Sequence, residues 1–303
     1  MGSNLEHHVS QAKNGNKRAL ETVVRRIQDK IYGLSLRMLG KPEDAEDETQ
    51  EILIKIITHL SAFREESAFS SWVYRIACNH LLTTISRKSH RMGMTFGLLE
   101  ELVSAEIENR PHLSNSGPER AVLLEEARLD CMQGVLACLE KDIRIAFILG
   151  ELYGVTSTEG AFILDITPEA FRKRISRGRK RMQEFMTKHC GLVNNNETCH
   201  CHINVARRVE QGLKIPEKKS IINKEVAAKN RAELVAHLKE LSEIDRTVAM
   251  FRRYPEYQPP DSFKNIMKGL IDSGKYRFIA AKMIVAAAAF EVTDIRKLVD
   301  WQK

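Results

Sequence analysis

The residues best suited to binding a polyanion lie in the segment Thr167–Lys188, which holds eight basic and two acidic residues. Thr167 is a favourable helix N-cap and Pro168 suits the first helical position, so a helix is expected to begin there. A shorter helix is predicted over 157–164, and two such helices joined by a tight turn form a helix-turn-helix. In that motif the second helix lies in the DNA major groove.

The cations of this second helix fall into two groups. Residues three and four apart share a helix face, and the N-terminal part of a recognition helix is nearest the base edges. We therefore expect base contacts from Arg172, Lys173, Ser176 and Arg177. Further along, phosphates are the expected targets of Arg179, Lys180 and Arg181, since phosphate contacts position a protein without reading sequence. A solvated basic face is the competing interpretation.

A second stretch, residues 43–51, carries charges of one sign only, with six acids and no base. Its polar surface, opposite a row of isoleucines, consists of Asp44, Asp47, Glu48, Gln50 and Glu51. No His or Cys stands at ligand spacing, and a flat helix face offers no pocket for acid–base catalysis. Two interpretations stay open: an ordinary soluble surface, or an electrostatic docking face for a basic partner.

A third cluster mixes aromatic rings with cations and amides over Phe63–Lys88. Rings offer faces on which bases stack and cations bind phosphates, which is the combination that single-stranded DNA requires. The cluster contains Phe69, Trp72, Tyr74, Arg64, Arg75, Asn79, His80, Arg87 and Lys88. A Trp in a small helical domain is often a core residue instead.

A Cys/His-rich segment follows the basic helix. Cys190, Cys199 and Cys201 stand at C-x8-C-x-C spacing, flanked by His189, His200 and His202. Three thiolates with His202 as the fourth ligand would suit tetrahedral zinc, although the spacing is not the common C-x2-C. A redox switch and an ordinary Cys/His-rich turn are the other interpretations.

The elements that carry these residues are all predicted to be helical. Leu, Ile, Ala, Lys, Arg and Glu dominate the 303 residues, and alternation typical of strands is rare. The net charge of +7 is compatible with nucleic acid. The longest apolar run, Met283–Phe290, is too short to span a bilayer, so we expect a cytoplasmic chain with free or metal-bound cysteines.

The expected organisation is a helical domain over 1–91, a linker over 92–118, a helix-turn-helix domain over 119–188, the Cys/His segment over 189–202, and a helical extension over 203–303. Gly93, Gly97, Pro111, Gly117 and Pro118 indicate the linker.

Two long segments resemble the extracytoplasmic-function (ECF) sigma factors of bacterial RNA polymerase. GKPEDAEDETQEILIKIITHLSAFREESAFSSWVYRIACNHLLTTISRK is similar to region two of that family, and LACLEKDIRIAFILGELYGVTSTEGAFILDITPEAFRKRISRGRKRM is similar to region four. The resemblance covers about residues 17–188. It implies an all-α fold with two small sigma domains, and no catalysis.

The resemblance also implies residue roles. Docking on the clamp coiled coil of the largest polymerase subunit falls to Asp44, Asp47, Gln50 and Glu51, here called the acid surface. Binding and melting of the minus-10 element falls to the minus-10 set: Arg64, Ser67, Phe69, Trp72, Arg75, Asn79, Arg87 and Lys88. Reading of the minus-35 element falls to the minus-35 set: Pro168, Arg172, Lys173, Ser176, Arg177, Arg179 and Lys180. The linker would thread the polymerase channel.

Departures from the family pattern occur in region four. Cys138-Leu-Glu140 stands where Leu-Pro is usual, Gly160 replaces an aliphatic residue, and Gly178 lies within the recognition helix. Glycine costs about 1 kcal/mol relative to alanine inside a helix.

The expected partners are core RNA polymerase, promoter DNA and an anti-sigma factor, with no membrane. No cofactor is required, and zinc at the Cys/His segment is optional. The extension is expected either to regulate in cis or to stabilise the fold. The alternative function is a helix-turn-helix regulator that acts without core polymerase. An enzyme is disfavoured because no Gly-rich phosphate loop, nucleophile elbow or H-E-x-x-H motif is present.

Overall fold

The computed structural model describes residues 2–88, 93–108, 118–194 and 243–252, with isolated positions at 201, 205, 268 and 269. Every regular element within those ranges is a helix, which confirms the predicted all-α class. The helices are α1 (Gly2–Lys13), α2 (Lys17–Leu39), α3 (Pro42–Thr58), α4 (Phe69–Lys88), α5 (Phe96–Glu108), α6 (Pro118–Ala137), α7 (Lys141–Phe147), α8 (Ser157–Leu164), α9 (Pro168–His189) and α10 (Glu243–Arg252). A 3₁₀ turn (Leu60–Ala62) precedes α4, and a π-helical turn (Ile148–Leu152) follows α7.

Helices α1–α4 form the first domain. Asn16 caps α2 by accepting a hydrogen bond from the Ala19 amide, and Gly40 ends it in the left-handed conformation with φ 80°. Pro42 then occupies the first turn of α3. The apolar faces meet in a core of fully buried side chains that includes Ile31, Leu34, Ile52, Leu53, Ile56 and Leu81.

The helix-turn-helix is formed by α8 and α9 at the predicted positions. Thr156 and Glu159 form a capping box at the start of α8. Asp165 ends α8 in the left-handed conformation with φ 54°, a conformation that Asp tolerates better than most residues. Thr167 caps α9 by accepting a hydrogen bond from the Ala170 amide, and Pro168 follows it. These caps fix the turn that aims α9 outward.

Two of the unusual glycines allow close packing inside this domain. A Cβ on Gly160 would lie 2.3 Å from Cζ of Phe171, whose ring is fully buried. A Cβ on Gly178 would lie 3.2 Å from the ring of Phe147. The missing side chain at Gly160 is therefore matched by the Phe171 ring, and the departure from the family pattern does not leave a void.

The linker is not extended throughout, because residues 96–108 form helix α5. Leu99 and Val103 are buried, and the Phe96 ring lies 5.7 Å from the Phe185 ring of α9. Glu100 forms ion pairs with Lys188 and His189. In this conformation, α5 packs along the C-terminal end of α9.

The first domain and the helix-turn-helix domain share one continuous hydrophobic core. Arg144 of α7 donates to the Met38 carbonyl oxygen at 2.7 Å, and Gln133 of α6 donates to the Arg37 carbonyl oxygen at 3.1 Å. The rings of Tyr74 and Tyr153 lie 5.6 Å apart. The domains predicted as separate units thus lie against each other in a closed arrangement.

Candidate nucleic-acid interface

The N-terminal half of α9 presents its polar side chains to solvent. Pro168, Arg172, Lys173, Ser176 and Arg177 are all exposed, whereas Phe171 and Met182 on the opposite side are fully buried. Lys173 pairs with Glu169 one turn earlier at 3.0 Å, and Arg172 donates to Ser157 Oγ at 3.3 Å. Such exposed contacts contribute little to stability, so a DNA phosphate or base can replace them.

The later cations of α9 have acidic partners. Lys180 lies 3.9 Å from Glu184, and Arg181 lies 3.2 Å from Glu140. Arg179 donates through Nε to Glu151 Oε1 at 2.7 Å. Glu151 lies in the π-helical turn, and only 2% of its side chain is exposed. Sequence reasoning missed this buried carboxylate, although a single charge within the apolar run 146–153 was a visible signal.

The acid surface on α3 faces outward. Asp47 and Glu51 are exposed, while Asp44 and Gln50 are half-buried. Another acid of the stretch, Glu48, turns instead towards α4 and is not part of this surface. Carboxylates on an exposed helix face with no pocket can attract a basic partner but cannot support acid–base catalysis.

Glu48 joins α3 to α4 through His80. His80 Nε2 lies 2.5 Å from Glu48 Oε2, and Lys55 Nζ lies 2.7 Å from His80 Nδ1. Because an ammonium group can only donate, Nδ1 accepts and Nε2 carries the proton. Thr84 Oγ1 also donates to Glu48 at 2.9 Å. Burial lowers the pKa of His80 from its ordinary value, against the opposing effect of the bond to Glu48.

The aromatic residues around the Arg64–Ala68 loop pack mainly against one another. The ring of Phe69 lies 5.3 Å from Phe63 and 5.7 Å from Trp72. Phe69 is only 2% exposed, so its ring shapes the loop and offers no face to a base in this conformation. Trp72 is half-buried. Arg64 is exposed and Ser67 is half-buried, so the loop itself presents these polar residues.

Arg75 contacts the helix-turn-helix of the other domain. Its guanidinium donates to the Phe162 carbonyl oxygen at 2.8 Å and pairs with Asp165 at 3.3 Å. It also lies 5.0 Å from the centre of the Phe162 ring. In contrast, Asn79 and Arg87 on the same helix are exposed. The side chain of Lys88 lies outside the described residues.

The Cys/His segment is described only at its two ends. Cys190 is half-buried against the main core, and Cys201 is buried beside Leu124, Ala127 and Val205. Cys199, His200 and His202 lie outside the described residues, so the zinc shell stays a prediction. Among residues that are described, no three potential ligands converge on one point.

Three further cysteines lie among the described residues: Cys78 is fully buried, whereas Cys131 and Cys138 are half-buried. Burial raises the pKa of the Cys78 thiol strongly and that of Cys138 to about 11. Across the described helices, none combines the length and apolarity needed to cross a bilayer.

Several known proteins are similar to this chain in sequence over nearly their whole length. The family model described as Sigma-70 region 2 matches residues 23–91. RNA polymerase sigma-H factor of Pseudomonas aeruginosa is 31% identical over 180 residues, covering 59% of this chain and 91% of that protein. The ECF RNA polymerase sigma factor SigW of Bacillus subtilis is 30% identical over 183 residues, covering 59% and 95%.

A solved structure is also similar, at 19% identity with a TM-score of 0.40, covering 54% of this chain and 94% of the other. It is the sigma factor RpoE in complex with the anti-sigma factor NepR from Bartonella quintana.

The helices of the described residues, the capped helix-turn-helix and the match to Sigma-70 region 2 together define a protein of the sigma-factor class. The chain belongs to the ECF RNA polymerase sigma factors, as the resemblance in sequence predicted. Proteins of this family are initiation factors and not enzymes, and nothing in the comparisons favours a regulator that acts without polymerase.

Proposed function

We propose that the acid surface docks this sigma factor on the clamp coiled coil of core polymerase, and that α9 and the α4 region bind the minus-35 and minus-10 elements. The observation that carries the proposal is the outward face of α9. Two formed caps fix the turn before it, and four base-reading candidates, Arg172, Lys173, Ser176 and Arg177, lie exposed on it. That geometry is the one by which a recognition helix enters a major groove.

The acid surface supports the polymerase part of the proposal. Asp47 and Glu51 are exposed on a helix whose opposite side is fully buried. Complementary charge raises the rate of encounter and fixes the orientation of a basic partner. The covering of Arg75 by the helix-turn-helix does not affect this surface.

The minus-10 part of the proposal requires the domains to separate. Elements centred about 25 base pairs apart lie about 85 Å apart along B-DNA. In the closed arrangement Arg75 lies 3.3 Å from Asp165, beside the start of the recognition helix. One chain cannot contact both elements at once in that state, so we propose that promoter binding follows opening.

Transcription by core polymerase tests the proposal. Run-off transcription from genomic fragments would be compared between wild-type protein and a variant with Arg172→Ala and Arg177→Ala. We expect core binding to be retained by the variant and promoter-dependent transcripts to be lost. Failure of the wild-type chain to bind core polymerase would contradict the proposal.

We further propose that the extension over 203–303 acts in cis on the sigma domains. An anti-sigma factor would bind the acid surface and the exposed face of α9. Zinc would be optional, with Cys190, Cys199, Cys201 and His202 as its ligands. Three thiols and neighbouring histidines in one short segment support the zinc site. Metal analysis of the purified full chain, compared with the Cys199→Ser variant, tests it.

A further inference from the structure

One helix of the C-terminal extension is docked against the helix-turn-helix domain. In α10, Thr247, Met250 and Phe251 are buried, and the Phe251 ring meets the Phe147 ring edge-on at a centroid distance of 6.0 Å. Arg246 donates to the Val193 carbonyl oxygen at 3.0 Å. The contacts reach both α9 and the π-helical turn, so α10 is packed as part of the DNA-binding domain.

Docked α10 places the Arg252 guanidinium beside the buried carboxylate of Glu151. Arg252 Nη2 lies 3.1 Å from Glu151 Oε2, and Arg252 Nε donates to the Glu151 carbonyl oxygen at 3.2 Å. The other carboxylate oxygen, Oε1, is bound by Arg179 of the recognition helix. One buried carboxylate is therefore shared between a residue of the minus-35 set and a residue of the extension.

This sharing has an energetic consequence for Arg179. A buried carboxylate that loses its only cation is left uncompensated, which is strongly unfavourable. Both guanidinium groups reach solvent, since the Arg179 and Arg252 side chains are 52% and 59% exposed. With Arg252 in place, Arg179 can turn to a phosphate while Glu151 keeps a partner. Without Arg252, Glu151 would hold Arg179 back.

We propose that Arg252 is a positioning residue for DNA binding: by sharing Glu151, docked α10 releases Arg179 to contact a DNA phosphate. The proposal rests on the proposed function of α9 as a DNA-binding helix. It assigns the extension a positive role in promoter binding, because undocking of α10 would remove one phosphate contact from the recognition helix.

Salt dependence of DNA binding separates this coupling from a merely structural role. The full chain would be titrated with a fluorescently labelled duplex of arbitrary sequence, because phosphate contacts are independent of sequence. Each lost phosphate contact lowers the slope of log affinity against log salt by about 0.9. The variants are Arg252→Gln, Arg252→Lys, and Arg252→Gln combined with Glu151→Gln. Arg25→Gln on α2, whose side chain is 72% exposed, controls for the loss of one positive charge.

We expect Arg252→Gln to bind DNA roughly three- to tenfold more weakly than wild type, with the slope reduced by about 0.9. The added Glu151→Gln change removes the charge that holds Arg179, so slope and affinity should return towards wild type. Arg252→Lys keeps a cation near Glu151 and should retain most of the slope. Arg25→Gln should leave the slope unchanged.

Three results would be adverse. If the wild-type chain binds no duplex, the proposed function fails. If wild type binds but Arg252→Gln keeps both affinity and slope, the coupling is overturned while the function stands. If the double variant stays as weak as Arg252→Gln, Arg252 touches DNA itself, and the coupling through Glu151 is wrong. Thermal melts of each variant establish that the compared proteins are folded.

Discussion

The acid surface on α3 and Arg75 of the minus-10 set on α4 belong to the same small domain but differ in access. Asp47 and Glu51 face solvent, whereas Arg75 is held by the Phe162 carbonyl oxygen and Asp165 of the other domain. The difference indicates an order of events. Under the roles proposed above, docking on polymerase would need no rearrangement, while use of Arg75 would need the two domains to separate.

The largest expected effect comes from a change in the acid surface, which is accessible in the closed arrangement. Asp47→Lys places a cation where we propose that a basic partner docks, and like charges across an interface cost several kcal/mol. Core polymerase should bind the variant roughly 30-fold more weakly, which is about 2 kcal/mol. Glu6→Lys, an exposed change of the same charge on α1, is the matched control and should bind as wild type does. Equal loss in both variants would mean that net charge, and not the acid surface, governs docking.

A smaller effect is expected from overpacking α8, the helix that covers Arg75. Gly160→Ala would put a Cβ 2.3 Å from the buried Phe171 ring, so the two helices of the motif must shift apart. Insertion of this kind costs about 1–3 kcal/mol, measurable by chemical denaturation. Adding Phe171→Leu should recover part of that loss by removing the ring edge. If Gly160→Ala instead raises stability by the full ~1 kcal/mol that alanine gains over glycine in a helix, the close packing described here is incorrect.

The ion pair between the domains should contribute less. Asp165→Asn removes the charge that Arg75 meets and keeps a residue that tolerates φ 54°. Because the Asp165 side chain is 77% exposed, the change should weaken closure by less than about 1 kcal/mol. Hydrogen exchange should become faster in α4 around Arg75. Asp142→Asn, which removes a pair within the second domain, should leave α4 unaffected.

The smallest effect concerns the link between α3 and α4. The folded pKa of His80 lies below its ordinary value of 6.5, so the unfolded chain binds a proton first as pH falls. The stability that neutral His80 contributes to the fold is fully present above the unfolded pKa. It is lost as pH falls from the unfolded pKa through the folded pKa. Denaturation midpoints should therefore decrease between pH 7 and pH 5 more in wild type than in His80→Gln. A pH dependence that is identical in the two proteins would contradict this assignment.

Local features of the fold could be predicted from the sequence because their causes are local. Thr167 and Pro168 determine where α9 begins, and the spacing of apolar residues determines which face of α3 is buried. The exposed positions of Asp47 and Arg172 follow directly from those two features.

Long-range contacts could not be predicted in the same way. Arg75 and Asp165 are separated by 90 residues, and Glu151 and Arg252 by 101. Such partners are set by how the domains fold onto each other, which no local pattern in one sequence records. The packing of Phe69 against Phe63 and Trp72 is a nearer contact, but residue type alone does not distinguish a packed ring from one that offers a face to a base.

The docking of α10 also implies an order of events during synthesis, because α10 is made after α9. About 60 residues separate the end of α9 from the end of α10. At typical rates of synthesis this stretch takes roughly 3–12 s, and domains commonly fold as they emerge. A newly made chain therefore carries a folded recognition helix before Arg252 exists, with Arg179 as the cation held by Glu151. Under the coupling proposed above, each molecule would first bind DNA in the weaker form and would reach full affinity once α10 has been made and has docked.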